Sequence, residues 1–112
     1  MKKLNSIISR DFNFNIAKEV GERSAIVLHN IVYWIEINRT QEKEDHFYNN
    51  KWWTYQSIKG FEELFPYLTY EQVKYAIETL ENSEYITKGN FNKSKYDKTT
   101  WYSITEKTVN IY

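Results

Sequence analysis

The sequence predicts an α+β domain built around two consecutive helices that are followed by a β-hairpin. Thr69 and Gln72 have the spacing of a capping box at the start of a helix. Pro66 separates this helix from a shorter one before it. After it, residues 85–88 and 99–104 are rich in β-branched and aromatic side chains and flank a polar loop. This order predicts a winged helix-turn-helix with an N-terminal helical arm and a small antiparallel β-sheet.

Length and composition predict one domain over residues 1–112. Of the 112 residues, 41% are hydrophobic and 18% aromatic, which is enough for a core without a metal or crosslinks. The chain has no cysteine, which excludes disulfides and thiolate zinc sites. No apolar run reaches membrane-spanning length. We therefore expect a cytoplasmic protein with no membrane partner, cofactor or metal.

Residues 1–21 are predicted to form an arm that packs on the domain, because they carry many large apolar side chains. These are Leu4, Ile7, Ile8, Phe12, Phe14, Ile16 and Val20. Asn15 is a candidate cap for a short helical turn, and Gly21 is a natural residue for its end. The winged-helix core is expected over 22–104, with a C-terminal tail over 105–112.

A long helix is predicted over 22–38, since apolar residues recur there at the helical period. Its expected core face consists of Ser24, Val27, Leu28, Ile31, Trp34 and Ile35. A second stripe consists of Ile26, Asn30, Tyr33 and Ile37. Either the N-terminal arm or another subunit covers this stripe, and both hold if a dimer exchanges its arms. Ile26, Tyr33 and Ile37 are therefore candidate oligomerisation residues of a homodimer.

A tight hairpin is predicted around Asn49 and Asn50, because asparagine tolerates the positive backbone angles of two-residue turns. Thr54 is expected to cap the next helix, which ends at Leu64. The four tryptophans are expected to pack in the core and sheet, with one of the adjacent Trp52/Trp53 pair pointing away. They are Trp34, Trp52, Trp53 and Trp101.

The helix over 69–83 has two distinct faces at the helical period. The expected inward face is Val73, Ala76, Ile77 and Leu80. In a helix-turn-helix the outward face of the second helix enters the major groove, and its N-terminal residues meet base edges. The candidate DNA contacts on it are Thr69, Tyr70, Gln72, Lys74 and Tyr75, with Glu71 as a possible acceptor from cytosine.

Charge is unevenly distributed, although the net charge is zero. Residues 69–84 have one positive and four negative side chains, whereas residues 85–104 have four positive and one negative. The predicted wing is therefore basic and suits phosphate contacts, although a solvated hairpin tip has the same pattern. Its candidate DNA contacts are Lys88, Asn90, Asn92, Lys93, Lys95 and Lys98.

The sequence contains no arrangement typical of an enzyme. The two histidines have no metal-ligand spacing, and the three glycines form no phosphate-binding loop. Neighbouring glutamates on the predicted helices are typical of a solvated surface. We therefore predict no catalytic residues.

Three stretches resemble the winged-helix N-terminal domains of phage and plasmid replication proteins from low-GC Gram-positive bacteria, including the DnaD-like replisome organisers. They are His46-Phe-Tyr-Asn-Asn-Lys-Trp-Trp-Thr-Tyr-Gln-Ser, Phe65-Pro-Tyr-Leu-Thr and Gly89-Asn-Phe-Asn-Lys-Ser-Lys-Tyr-Asp-Lys-Thr-Thr-Trp-Tyr-Ser-Ile. The resemblance implies a domain that binds or assembles on origin DNA before helicase loading. The family often has a basic residue early in the recognition helix, where this chain has Gln72 and Lys74 among glutamates.

Two classes of function follow from these predictions. The first is binding of double-stranded DNA in phage or plasmid replication initiation or in transcription regulation. The second is a protein-interaction or oligomerisation module of the same fold, which acts as a replisome scaffold with a replication protein partner or inhibits a host protein. Fold does not decide between them.

Overall fold

A computed structural model describes residues 12–112, in which five α-helices surround two small antiparallel sheets. The helices are α1 (Phe14–Val20), α2 (Glu22–Thr40), α3 (Ile58–Leu64), α4 (Tyr70–Asn82) and α5 (Glu106–Ile111). The strands are β1 (Phe47–Tyr48), β2 (Lys51–Trp52), β3 (Thr54–Tyr55), β4 (Ile86–Gly89) and β5 (Trp101–Ile104). This confirms the predicted α+β class. The expected packing of Leu4, Ile7 and Ile8 lies outside the described residues.

The two sheets follow one another along the chain. Strands β1 and β2 form a hairpin whose turn residues Asn49 and Asn50 have φ angles of 52° and 61°. Both angles are positive, which confirms the predicted two-residue turn. The second sheet has the order β3-β5-β4, so the central strand β5 pairs with β4 on one side and with β3 on the other. The predicted hairpin of β4 and β5 is also confirmed.

The hydrophobic core lies between α2 and α4, with α1, α3 and the second sheet around them. The inward face predicted for α4 is fully buried. Along α2 the buried positions are Ser24, Ala25, Val27, Leu28, Asn30, Ile31, Val32, Ile35 and Asn38. Trp34 is 39% exposed, so its predicted place in the core was wrong. It lines an open cleft between α2 and β3 instead.

Two predicted helix caps were also wrong. The side chain of Asn13, rather than Asn15, accepts the backbone N–H of Ile16 at the start of α1. Ser57, rather than Thr54, accepts the N–H of Gly60 at the start of α3. Thr54 is unable to start the helix because it pairs with Tyr102 in the second sheet and keeps the chain extended. Gly21 ends α1 with a φ of 91°, in agreement with its predicted role.

The segment predicted as a C-terminal tail forms α5. Thr108 is completely buried, and its hydroxyl donates to the carbonyl oxygen of Tyr85 at 2.6 Å. Lys107 lies 4.1 Å above the ring of Tyr85, and its Nζ is 2.9 Å from the carbonyl oxygen of Ser83. The Tyr85 hydroxyl in turn donates to the Glu19 carboxylate of α1. Buried Tyr85 therefore connects α1 and α5 to the end of α4.

Burial of two tyrosines predicts a loss of stability at high pH. It raises the pKa of Tyr102 from 10.0 to about 12, and burial together with the hydrogen bond to Glu19 does the same to Tyr85. The contribution of Tyr102 is fully present below pH 10 and is lost as pH rises through the folded pKa, at about 3 kcal/mol for a two-unit shift, and that of Tyr85 is lost over the same range. We expect the free energy of unfolding to fall less between pH 10 and 12 in Tyr102→Phe than in the wild type. Urea unfolding followed by circular dichroism measures it.

The matched control for this prediction is Tyr96→Phe, because Tyr96 is 81% exposed. This variant should lose stability with pH as the wild type does. Parallel curves for the wild type and Tyr102→Phe would contradict the assignment to Tyr102.

Candidate nucleic-acid interface

Helix α4 presents its predicted outward face to solvent. Its start is fixed by a complete capping box, in which Gln72 N–H donates to Thr69 Oγ1 at 3.2 Å and Thr69 N–H donates to Gln72 Oε1 at 3.0 Å. Tyr70 is 48% and Tyr75 71% exposed, and Lys74 is also exposed. These three side chains are free to meet a ligand. The side-chain oxygens of Thr69 and Gln72 accept hydrogen bonds within the cap. Only the Thr69 hydroxyl and the Gln72 amide group remain as donors to DNA.

Lys88 connects α4 to the second sheet through an ion pair. Its Nζ lies 3.1 Å from the Glu81 carboxylate, and both side chains are partly exposed. The positive charge predicted at this position is thus balanced locally by the acidic helix. The unbalanced positive charge of the hairpin falls on the loop beyond it.

The β4–β5 loop (residues 90–100) is organised by one asparagine side chain. The Asn92 amide donates to the carbonyl oxygens of Asp97 and Thr99 at 2.9 and 2.8 Å, and its oxygen accepts the indole N–H of Trp101 at 2.7 Å. The side chain is committed to the fold of the loop, and its contact with DNA stays a prediction. The Asn90 oxygen accepts the backbone N–H of Asn92, which leaves the Asn90 amide as a donor.

Phe91 fastens the β4–β5 loop to the first hairpin. Its ring stacks on Tyr48 at a centroid distance of 4.5 Å and meets the edges of Trp53 and Trp101 at 4.8 and 5.6 Å. A Cβ at Gly89 would come within 2.9 Å of the Phe91 ring and 3.0 Å of Trp53, so glycine permits this close packing. The loop is therefore held by side chains from β1 and β5 and by Trp53, which lies between β2 and β3.

The lysines predicted as phosphate contacts in this loop are exposed. They are Lys93, Lys95 and Lys98. Lys95 lies 5.5 Å from the centre of the Tyr96 ring. A hydrogen bond with His46 lowers the pKa of the Asp45 carboxyl, and the charge of Lys93 contributes to the shift. The backbone and side-chain hydrogen bonds with Thr99 lower the pKa of Asp97.

Lys93 borders an open depression, which we call the loop cleft. It has a volume of about 370 Å³ and is lined by residues of the 3-10 turn Glu44–His46, of β1, β3 and β5, and of the β4–β5 loop. His46, Tyr55 and Trp101 form part of its wall, and the Tyr55 and Trp101 rings are 4.7 Å apart. The arrangement places a cation beside aromatic surface.

The sequence did not indicate the roles of Phe91, Gly89 and Asn92. The run Gly-Asn-Phe-Asn after a predicted strand contained a signal, because an aromatic residue between two turn-forming asparagines is unusual for a freely solvated tip. The partners of the Phe91 ring, Tyr48 and Trp53, lie about 40 positions earlier in the chain. Local sequence patterns therefore could not predict these contacts.

The predicted oligomerisation stripe is not a free apolar surface. Ile26, Tyr33 and Ile37 are each half-buried, and Asn30 of the same stripe is 2% exposed. Ile26 packs on the core, and the Tyr33 ring lies against Trp34 at 5.3 Å. The described residues place these three side chains at the border between core and solvent.

Residues 12–112 contain no group of three or more potential metal ligands. None of the described helices is long and apolar enough to cross a membrane. No protein-family model, curated protein or solved structure matches the chain.

Proposed function

We propose that this chain is a winged-helix domain that binds double-stranded DNA mainly through the phosphate backbone. The observation that carries the proposal is the β4–β5 loop, which presents three exposed lysines on a backbone fixed by Asn92 and Phe91. Phosphate contacts by lysine dominate the affinity of such interfaces. A fixed loop also loses less conformational entropy on binding than a flexible one.

The order of elements supports the winged-helix assignment. A helix pair, interrupted at Pro66, lies between β3 and the β4–β5 hairpin, and β3 pairs with the central strand β5. Helix α4 packs its apolar face on α2 and leaves Tyr70, Lys74 and Tyr75 in solvent. In a helix-turn-helix these positions meet the major groove.

The acidic face of α4 favours weak discrimination between DNA sequences. Glu71 and Glu78 are exposed on the helix proposed to meet the groove, and carboxylates repel phosphates. The loop lysines then position the domain, and α4 contributes little discrimination between bases. On the sequence resemblance we propose replication initiation in a phage or plasmid as the process, with transcription regulation as the other process that duplex binding would serve.

Fluorescence anisotropy tests the proposal directly. Random duplex is titrated with the protein at 50 and 200 mM salt, and single-stranded DNA of the same length is titrated in parallel. We expect duplex binding at low salt and a loss of affinity on the order of tenfold or more at the higher salt, because neutralised phosphates release counterions. No duplex binding at 50 mM salt would overturn the proposed function.

Neutralising the acidic face of α4 should strengthen duplex binding. With Glu71→Gln and Glu78→Gln combined, we expect an affinity gain of about three- to tenfold at 50 mM salt, since two repulsive charges near phosphates are removed. Anisotropy titrations measure it. The control combines Glu22→Gln and Glu42→Gln, which change the net charge equally at exposed positions outside α4. Equal gains in both variants would contradict the placement of α4 against DNA.

An apolar groove favours the second candidate function, a protein-interaction module. It has a volume of about 640 Å³ and lies between α2, the first hairpin and α5. Val32, Ile35 and Val109 line it, and Val109 is 49% exposed. Light scattering tests self-association through this groove. A dimer that dissociates in Val109→Glu would support it, whereas a monomer in both proteins would exclude it.

A further inference from the structure

A second cleft lies between α2 and β3, on the other side of His46 and Tyr55 from the loop cleft. We call it the α2–β3 cleft, and its volume is about 240 Å³. Trp34, Tyr55 and His46 give it aromatic walls, while Ile31 and Phe61 contribute apolar surface. Aromatic walls around a small space are suited to a planar ring.

Asn30 in this cleft has an unused hydrogen-bond donor. The residue is 2% exposed, and among the described side chains its Nδ2 is the buried polar atom without a partner. Asn38, two turns along the same helix and lining the same cleft, donates its amide to the carbonyl oxygen of Trp53 at 2.9 Å. A buried donor without a partner costs free energy. A ligand oxygen that reaches Asn30 Nδ2 from the cleft would remove that cost.

We propose that the α2–β3 cleft binds one unpaired pyrimidine base of DNA, whose carbonyl oxygen accepts a hydrogen bond from Asn30 Nδ2. The volume is below the roughly 300–1,000 Å³ of pockets for drug-sized ligands, so one ring enters and the sugar and phosphate remain outside. Lys43 also lines the cleft and supplies a cation for that phosphate. Stacking on aromatic rings together with hydrogen bonds to the base edge is how proteins hold unpaired bases.

The two clefts share a wall, which connects the base site to the basic loop. His46 and Tyr55 line both of them, and their rings stack at 5.5 Å with an angle of 15° between the planes. Lys93 lies in the loop cleft on one side, and Asn30 lies in the α2–β3 cleft on the other. A DNA strand bound at Lys93 can therefore place its next unpaired base in the α2–β3 cleft. This goes beyond the proposed duplex binding, because it gives the protein a preference for duplex that adjoins a single strand.

The experiment compares three DNA probes of identical duplex sequence by anisotropy. One is blunt, one carries a single-stranded tail of five thymidines, and one carries a five-nucleotide abasic tail with the same phosphates. We expect the thymidine tail to bind about tenfold more tightly than the abasic tail, the scale of one stacked and hydrogen-bonded base. Since both tails carry the same charge, phosphate contacts alone give equal affinities, and equality would overturn the proposal.

Asn30→Leu tests the donor itself. We expect the preference for the thymidine tail to fall below about twofold while blunt-duplex affinity is unchanged. The melting temperature should stay constant or rise, since an unpartnered buried amide is replaced by an apolar group of similar size. Asn38→Leu is the matched comparison and should lower the melting temperature by about 5 °C or more, because it leaves the Trp53 carbonyl without its partner.

A second variant keeps the test valid if Asn30→Leu does not fold. Trp34→Leu removes an aromatic wall at a partly exposed position and should also abolish the tail preference. The base site can be tested even if the protein does not bind duplex. In that case the affinities for a free oligothymidine and for an abasic oligomer of equal length are compared. A thymidine preference that survives both variants would assign the base to another surface and overturn the proposal.

Discussion

Replacing Lys93, Lys95 and Lys98 together by alanine should lower the affinity for random duplex about 30- to 300-fold at 50 mM salt. It should also reduce the slope of log K against log salt by about 2.7, because each lysine that neutralises a phosphate releases close to one counterion. Anisotropy titrations at four salt concentrations measure both quantities. The loss should be uniform across DNA sequences, since phosphate contacts do not read bases.

The three lysines differ from Lys88 in their surroundings. All three are exposed on the β4–β5 loop, whereas Lys88 is held 3.1 Å from the Glu81 carboxylate. The cation–π contact of Lys95 with Tyr96 is at the surface and contributes little to stability. The triple variant should therefore unfold at the same urea concentration as the wild type, so that a loss of binding is not a loss of folding.

A charge-matched control separates local contacts from the overall field. Lys18, Arg23 and Lys51 are exposed and lie on α1, α2 and β2. Replacing them by alanine removes the same net charge and should lower duplex affinity less than about threefold. Equal losses in the two triple variants would remove the β4–β5 loop from the binding surface.

The sequence predicted those parts of the fold whose signals are local. The capping box of α4 spans three residues, the Asn49-Asn50 turn spans two, and the apolar face of α4 repeats within one helix. Each was confirmed, because its physical cause lies within a few positions. The cap of α3 was wrong for the opposite reason. Thr54 pairs with Tyr102, which is 48 positions away, and this pairing overrides its capping preference.

The candidate site shows the same limit. The exposed lysines of the β4–β5 loop followed from composition, but the internal role of Asn92 depends on a hydrogen bond from Trp101 that no pattern specifies. Asn30 was assigned to a partly covered stripe, and its burial beside a cleft depends on where β3 packs against α2. A side chain's chemistry is visible in the sequence, whereas its availability is decided by tertiary contacts.

Phe91→Ala should weaken duplex binding without removing any charge. The ring fastens the β4–β5 loop to Tyr48, Trp53 and Trp101, so its loss releases the loop that carries the three lysines. We expect about a tenfold loss of affinity with the salt slope nearly unchanged, because the same phosphates are contacted at a larger entropy cost. The free energy of unfolding should fall by about 2–3 kcal/mol. This is at or below the lower end of the range for Phe→Ala substitutions at buried positions, because Phe91 is half-buried.

Hydrogen exchange separates this mechanism from general destabilisation. Amides of residues 90–100 should exchange faster in Phe91→Ala, while those of α4 change only with global stability. The control is Phe47→Ala, which removes a 41% exposed ring that packs on Trp52 at 4.8 Å in the first hairpin. It should leave both the loop amides and the duplex affinity nearly unchanged. If Phe91→Ala accelerates loop exchange and still binds duplex as the wild type does, a fixed loop is unnecessary and the lysines act as a flexible cationic tether.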